Sequence, residues 1–191
     1  VDGCRAGWFY AAMEDGGDTA FGISAAIDDL WREWHHARSI LIDIPIGLLS
    51  GDGTTRACDR SARQRLAPLR HSSVFSPPCR EALSAKTYEE ACRINEQVCG
   101  RKISTQTWMI TPKIKEVDKF LRRTPGAEGI IRETHPELAF WALAGGRPMA
   151  HGKKTDRGKS ERLDLLLTLC PDAGNLLEAA MAQYPRKQLT A

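Results

Sequence analysis

Three acidic residues sit at the ends of apolar stretches. Asp2 lies beside Gly3, Asp43 interrupts ILIDIPIGL (40–48), and Glu133 closes GIIRE, with His135 and Glu137 just beyond. A lone ionised Asp inside a β-branched run carries a heavy desolvation cost. Pro45 cannot donate to a sheet ladder. The strand therefore ends at Asp43 and the acid opens into a crevice, or something cationic holds it. Carboxylates converging from separate strands repel one another and stay ionised together around a hard cation. Two divalent ions about 4 Å apart, held by such acids, can activate water and stabilise a leaving oxygen in phosphodiester cleavage. On this reading Asp2, Asp43 and Glu133 bind Mg²⁺ or Mn²⁺, and His135 or Glu137 assists proton transfer. Each residue also has a plain structural reading. Asp2 and Asp43 can be turn residues accepting backbone N–H groups. Glu133 and Glu137 flank a helix start, where negative charge is favourable. His135 can equally be a base, a metal ligand or a helix cap.

The basic residues fall in clusters. Residues 56–71 hold Arg56, Arg60, Arg63, Arg65 and Arg70 against Asp59. Residues 147–162 hold Arg147, Lys153, Lys154, Arg157, Lys159 and Arg162 against Asp156 and Glu161. Guanidinium forks and ammonium groups suit a polyanion, so Arg5, Arg56, Arg60, Arg63, Lys153 and Lys154 are candidate phosphate contacts. The competing reading for Arg56, Arg60 and Arg63 is a solvated helix face with Asp59 pairing Arg63. KKTDRGKS reads as a loop that orders on substrate. In SSVFSPPCR (72–80), Phe75 is either a stacking platform for a base or a core plug. Cys58 and Cys79 have no His beside them and read as structural. Gln106, Trp108 and Met109 also read as structural, the latter two in the core.

These groups need a scaffold. VDGCRAGWFYAAM reads as a strand bent near Gly3–Gly7, EDGGD (14–18) as a turn, and TAFGIS as a returning strand. Ile27, Leu30, Trp31 and Trp34 mark an amphipathic helix over about 25–37, followed by a buried strand at 39–44. The segment 49–128 carries helical patterns and reads as an insertion or cap over the sheet. Thr54 or Thr55 is expected to cap a helix to about 66. Thr87 with Glu90 forms a capping box for a helix to about 99, and Thr111–Pro112 reads as a helix start running to about 123. A short strand at 129–133 leads to a helix capped by Thr134 or His135 and ended by Gly145–Gly146. Helices over about 156–169 and 172–184 complete an α/β chain, expected to form one domain over 1–191.

The 191 residues carry 27 Lys and Arg against 24 Asp and Glu, a net charge of +3 that neither demands nor excludes nucleic acid. No apolar run approaches membrane-spanning length. The six cysteines form no CxxC pair, which argues against a zinc site. With no secretion signal visible from Val1 onward, reduced thiols and a cytoplasmic location are expected.

DGCRAGW, LIDIPIGL, RACDRSAR, SSVFSPP, QTWMITPKIKEVD, and ETHPELAF followed by KKTDRGKSER together resemble the domain of unknown function 429 family, described as predicted nucleases with a ribonuclease H-like fold. The resemblance implies a mixed sheet with flanking helices and an acidic, metal-binding centre. Asp2 would match the first-strand acid, and Asp43 and Glu133 the acids on later strands. It also implies an acidic C-terminal helix, whereas this chain closes on QYPRKQLTA with no Asp after Asp172. The join between Lys187 and LTA reads as abrupt, and a further segment is expected there. Three functions compete. The first is a metal-dependent nuclease. The second is a non-catalytic nucleic-acid- or protein-binding module on the same fold. The third is an actin-like small-molecule phosphotransferase, for which DGCRAG is the one weak phosphate-loop candidate.

Overall fold

Alternation along GWFYAAM builds the middle of the sheet. In the computed structural model, which describes residues 1–14, 17–51 and 55–184, strand β2 (Gly7–Met13) lies between β1 (Asp2–Cys4) and β3 (Thr19–Ser24), all antiparallel. Trp8 and Tyr10 face one side and Phe9 the other, as period-2 geometry requires. The bend expected near Gly3–Gly7 is a two-residue hairpin turn, Arg5–Ala6, which makes β1 a strand of its own. Gly7 has φ +141°, and a Cβ there would stand 2.1 Å from the Ser24 carbonyl oxygen. Asp15 and Gly16 of the second turn, Thr54, and residues 185–191 lie outside the described residues.

Strands β4 (Ile40–Ile42) and β5 (Ile131–Glu133) form a parallel pair. Val1 joins this pair to the hairpin. Its nitrogen donates to the Leu41 carbonyl at 2.7 Å, and the Asp43 N–H donates to the Val1 carbonyl at 2.9 Å. That is the pattern of a parallel bridge between Val1 and Ile42. The strands thus run 3-2-1-4-5 across one mixed surface.

Helices cover both faces. Helix α1 (Ile27–Trp34) buries Ile27 and Leu30, as its spacing dictates. It packs with α4 (Thr105–Arg123) over Trp8, Ile40, Ile42 and Ile131. The Trp8 indole N–H donates to Glu116 at 2.9 Å. On the opposite face, α6 (Asp156–Leu169) and α7 (Ala173–Gln183) present Leu163, Leu166 and Ala180 to Phe9 and Phe21. Helices α2 (Ala57–Leu66) and α5 (Pro136–Leu143) pack together through Leu66, Val74, Leu138 and Trp141. Helix α3 (Tyr88–Cys99) is capped by Thr87, whose hydroxyl accepts the Glu90 N–H at 3.2 Å, and ends on Gly100 at φ +68°.

Two expectations are corrected. Thr111–Pro112 does not begin a helix. Ser104 caps α4 by accepting the Thr107 N–H at 3.0 Å, so Pro112 falls in the helix interior. The Thr111 hydroxyl there donates to the Thr107 carbonyl at 2.9 Å. Met109 is not core but 74% exposed, because the α4 stripe of Ile114, Val117, Phe120 and Leu121 faces the sheet instead. That stripe also makes α4 part of the main core and not only a cover above it.

Candidate active site

The parallel bridge between Val1 and Ile42 sets Asp2 directly opposite Asp43. Residues opposite one another in register point to the same face. The two carboxylates therefore share the face that carries α6 and α7. Protein packed around Asp2 raises its pKa above the usual carboxylate range. Asp43 is pushed up to about 6, first by burial and then by the negative charge of Asp2, with His135 and Lys153 acting the other way. The negative charge of Asp2 thus adds to burial in disfavouring the ionised form of Asp43.

Glu133 stands elsewhere. The β4–β5 register pairs it with Ile42, so it belongs to the opposite parity from Asp43, whose counterpart is Thr134. The carboxylate of Glu133 instead accepts from Arg56 through both oxygens, each at 2.8 Å, and from the Ile46 N–H at 2.8 Å. Arg56 also donates to Asp59 from Nε at 3.0 Å and Nη2 at 2.6 Å, and to the Ile46 carbonyl at 2.7 Å. All five guanidinium donors are used. Burial opposes the charge on Arg56, but its hydrogen bonds to Glu133 and Asp59 outweigh it and raise its pKa. Asp59 thus pairs with Arg56 at the helix start, and not with Arg63.

Glu137 is likewise engaged. It is buried and takes both Nη2 hydrogen bonds of Arg162, at 2.7 and 2.8 Å. Arg63 braces the Phe75 segment, donating to the Val74 carbonyl and, at 2.7 Å, to the Ser76 hydroxyl. Arg5, Arg60, Lys153 and Lys154 are exposed, and Phe75 is half-exposed, with 45% of its surface in solvent.

His135 occupies the N-cap position of α5 without a side-chain capping bond, with Pro136 in the first turn. Its Nε2 lies 3.1 Å from the Ser73 carbonyl oxygen. A carbonyl can only accept, so Nε2 carries the proton and a neutral His135 keeps its lone pair on Nδ1. That Nδ1 is buried without a partner among the described residues. Cys79 is no nucleophile: burial pushes its thiol up to about 11.

No group of three or more His, Cys, Asp or Glu among the described residues has metal-ligating geometry. The pair Asp2–Asp43 nevertheless offers hard oxygen donors whose charges the N-terminal ammonium and Lys153 relieve only in part. Mg²⁺ is held by one or two carboxylates completed by substrate phosphates and water, and such a donor set fits.

The molecule is thus a mixed α/β protein with an acidic pair where two neighbouring strands meet. The chain belongs to the family described as "Protein of unknown function (DUF429)", whose profile matches residues 1–190. No curated protein and no solved structure matches it. No helix among the described residues is long and apolar enough to cross a membrane.

Proposed function

We propose that this protein is a divalent-metal-dependent phosphodiesterase acting on nucleic acid, on a ribonuclease H-like scaffold. The observation that carries this reading is the juxtaposition of Asp2 and Asp43 on adjacent strands, with Asp43 tied by its own N–H to Val1. The 3-2-1-4-5 strand arrangement with helices on both faces supports the fold. Asp2 and Asp43 would hold Mg²⁺ or Mn²⁺, which supplies Lewis-acid activation of water and charge relief at phosphorus. Glu133 is engaged by Arg56, so the reading is a site for one ion, completed by substrate, and not a three-acid, two-ion site. His135, whose Nδ1 lone pair has no partner among the described residues, would be the group to accept the proton released by the attacking water. Lys153, Lys154, Arg5 and Arg60 steady the phosphate backbone, and Phe75 offers a base its ring face.

The test is cleavage of labelled single- and double-stranded DNA and RNA in Mn²⁺, beside calorimetric Mn²⁺ titration, for the wild type and Asp43→Asn. Cleavage and Mn²⁺ binding that both vanish in the variant support the reading. Unchanged turnover in Asp2→Asn and Asp43→Asn sinks it. The engagement of Glu133 and Glu137 by arginines favours a second reading, a non-catalytic binding module. Its signature is metal-independent nucleic-acid binding without cleavage under any divalent ion.

A further inference from the structure

The loop 149–155 is held by an unusual density of charged groups. Arg70, reaching from beyond α2, donates to the Met149 carbonyl at 2.9 Å and the Ala150 carbonyl at 2.6 Å. Glu161 accepts the Ala150 and His151 N–H groups at 2.7 and 2.9 Å. Arg162 donates from Nη1 to the carbonyls of His151 and Gly158 while its Nη2 grips buried Glu137. The Thr155 hydroxyl donates to the Gly152 carbonyl and accepts the Gly158 N–H. The backbone of Gly152 lies so close over α6 that a Cβ on Gly158 would stand 2.0 Å from its carbonyl oxygen. A loop so fastened fixes the directions in which its side chains leave the backbone, while exposed lysine stems keep their rotamer freedom. Two of its exposed side chains are Lys153 and Lys154; the loop leads directly into α6, on the face that Asp2 and Asp43 share, and Lys153 is among the charges felt by both acids.

We propose that Arg70, Glu137, Arg162 and Gly158 are positioning residues that set this loop so that Lys153 faces the acid pair and contacts the phosphate bound there. The proposal rests on the nucleic-acid reading above and names the group that engages the reacting phosphate. A carboxylate pair alone repels a polyanion. A cation whose backbone is already clamped beside it, so that only side-chain rotamers remain to be ordered, offsets that repulsion where it is strongest. Glu137 thereby acquires a role at a distance: it orients Arg162, and Arg162 holds the loop.

The experiment measures binding of a fluorescein-labelled 12-nucleotide single strand in Ca²⁺ between 50 and 300 mM salt. The proteins are wild type, Lys153→Gln, Gly158→Ala, Arg70→Met, the Lys153→Gln/Gly158→Ala double variant, and the surface control Lys119→Gln. Amide exchange over 149–155 is followed in parallel. Lys153→Gln is expected to weaken binding about 5- to 10-fold and to reduce the salt slope by about 0.7, the value for one phosphate contact on a single strand. Gly158→Ala and Arg70→Met should reproduce both changes with Lys153 intact and speed exchange in the loop. The double variant should be no worse than Lys153→Gln alone, because both act through one contact. Lys119→Gln should bind like wild type. If Gly158→Ala and Arg70→Met loosen the loop but keep wild-type affinity and slope, or if the double variant is additive, the positioning inference is wrong while the nucleic-acid reading stands. If the wild type binds no strand at all, the nucleic-acid reading fails and carries this inference with it.

Discussion

Arg56→Met tests whether the first basic cluster serves the fold or a ligand. The substitution keeps most of the apolar stem and removes five donors. Asp59, its side chain 4% exposed, then loses both of its guanidinium bonds, and Glu133, 30% exposed, loses two. Asp59 is left as a buried carboxylate without a counter-ion. Breaking a buried pair from one side costs about 3–5 kcal/mol. For a chain of this size that lowers Tm by about 6–20 °C. Urea denaturation at pH 7, with thermal melts beside it, measures the loss. Arg56→Met/Asp59→Leu should recover much of it, since a buried pair replaced on both sides by apolar groups is close to neutral. Arg56→Lys should not, because three ammonium donors cannot serve two carboxylates and a carbonyl at once. A loss below about 1 kcal/mol, together with weakened nucleic-acid binding, would refute the reasoning and return Arg56 to the phosphate-contacting set.

Three further outcomes follow from the acid pair and the hairpin. Asp43 titrates near 6 in the folded protein and near the ordinary carboxylate value when unfolded, so its contribution to stability is present below about pH 4 and lost as pH rises through about 6. Without divalent ions, Asp43→Asn should be about 1–3 kcal/mol more stable than wild type at pH 8, the gap closing towards pH 4; a variant less stable at pH 8 contradicts this. Adding Mn²⁺ at a hundred times its dissociation constant should stabilise the wild type by about 2.7 kcal/mol and leave Asp43→Asn unmoved, as thermal melts would read. Gly7→Ala should cost about 3 kcal/mol or more, through positive φ and the contact with the Ser24 carbonyl. Gly126→Ala, with open space around it, should stay within about 0.5 kcal/mol; equal effects in urea would discount the hairpin geometry.

Much of the scaffold was legible because it rests on local signals. The helix cap at Thr87, the helix start at His135–Pro136, the apolar stripe of α1 and the strand before Asp43 all follow from residues a few positions apart. What failed locally was Thr111–Pro112. That pair has the chemistry of a helix start, but Ser104 had already capped the same helix seven residues earlier. The acids were found by their position at strand ends, yet their grouping was not. It depends on pairing parity, which puts Asp2 opposite Asp43 and Glu133 opposite Ile42, and no spacing within one strand encodes that. The partners of Arg56 and Glu137 were missed for a related reason. Glu133 is 77 residues from Arg56, and Arg162 is 25 from Glu137. Arg70 and Gly158 carried no signal of their own beyond lying in a basic cluster and a charged, Gly-containing loop.

The pairing of Ile40 with Ile131 also has a consequence for synthesis. Once the hairpin has formed and β4 has joined it, the outer edge of Ile40–Ile42 waits for a partner about ninety residues downstream. At 5–20 residues per second that wait is roughly 5–18 s. Throughout it, the nascent chain displays an open apolar strand edge of the kind that recruits other chains. Asp43 and Pro45 stand directly after that edge. A charge and a residue without an N–H are the devices that discourage edge-to-edge pairing. The acid proposed to hold the metal after folding is thus also placed to guard the strand before folding is complete.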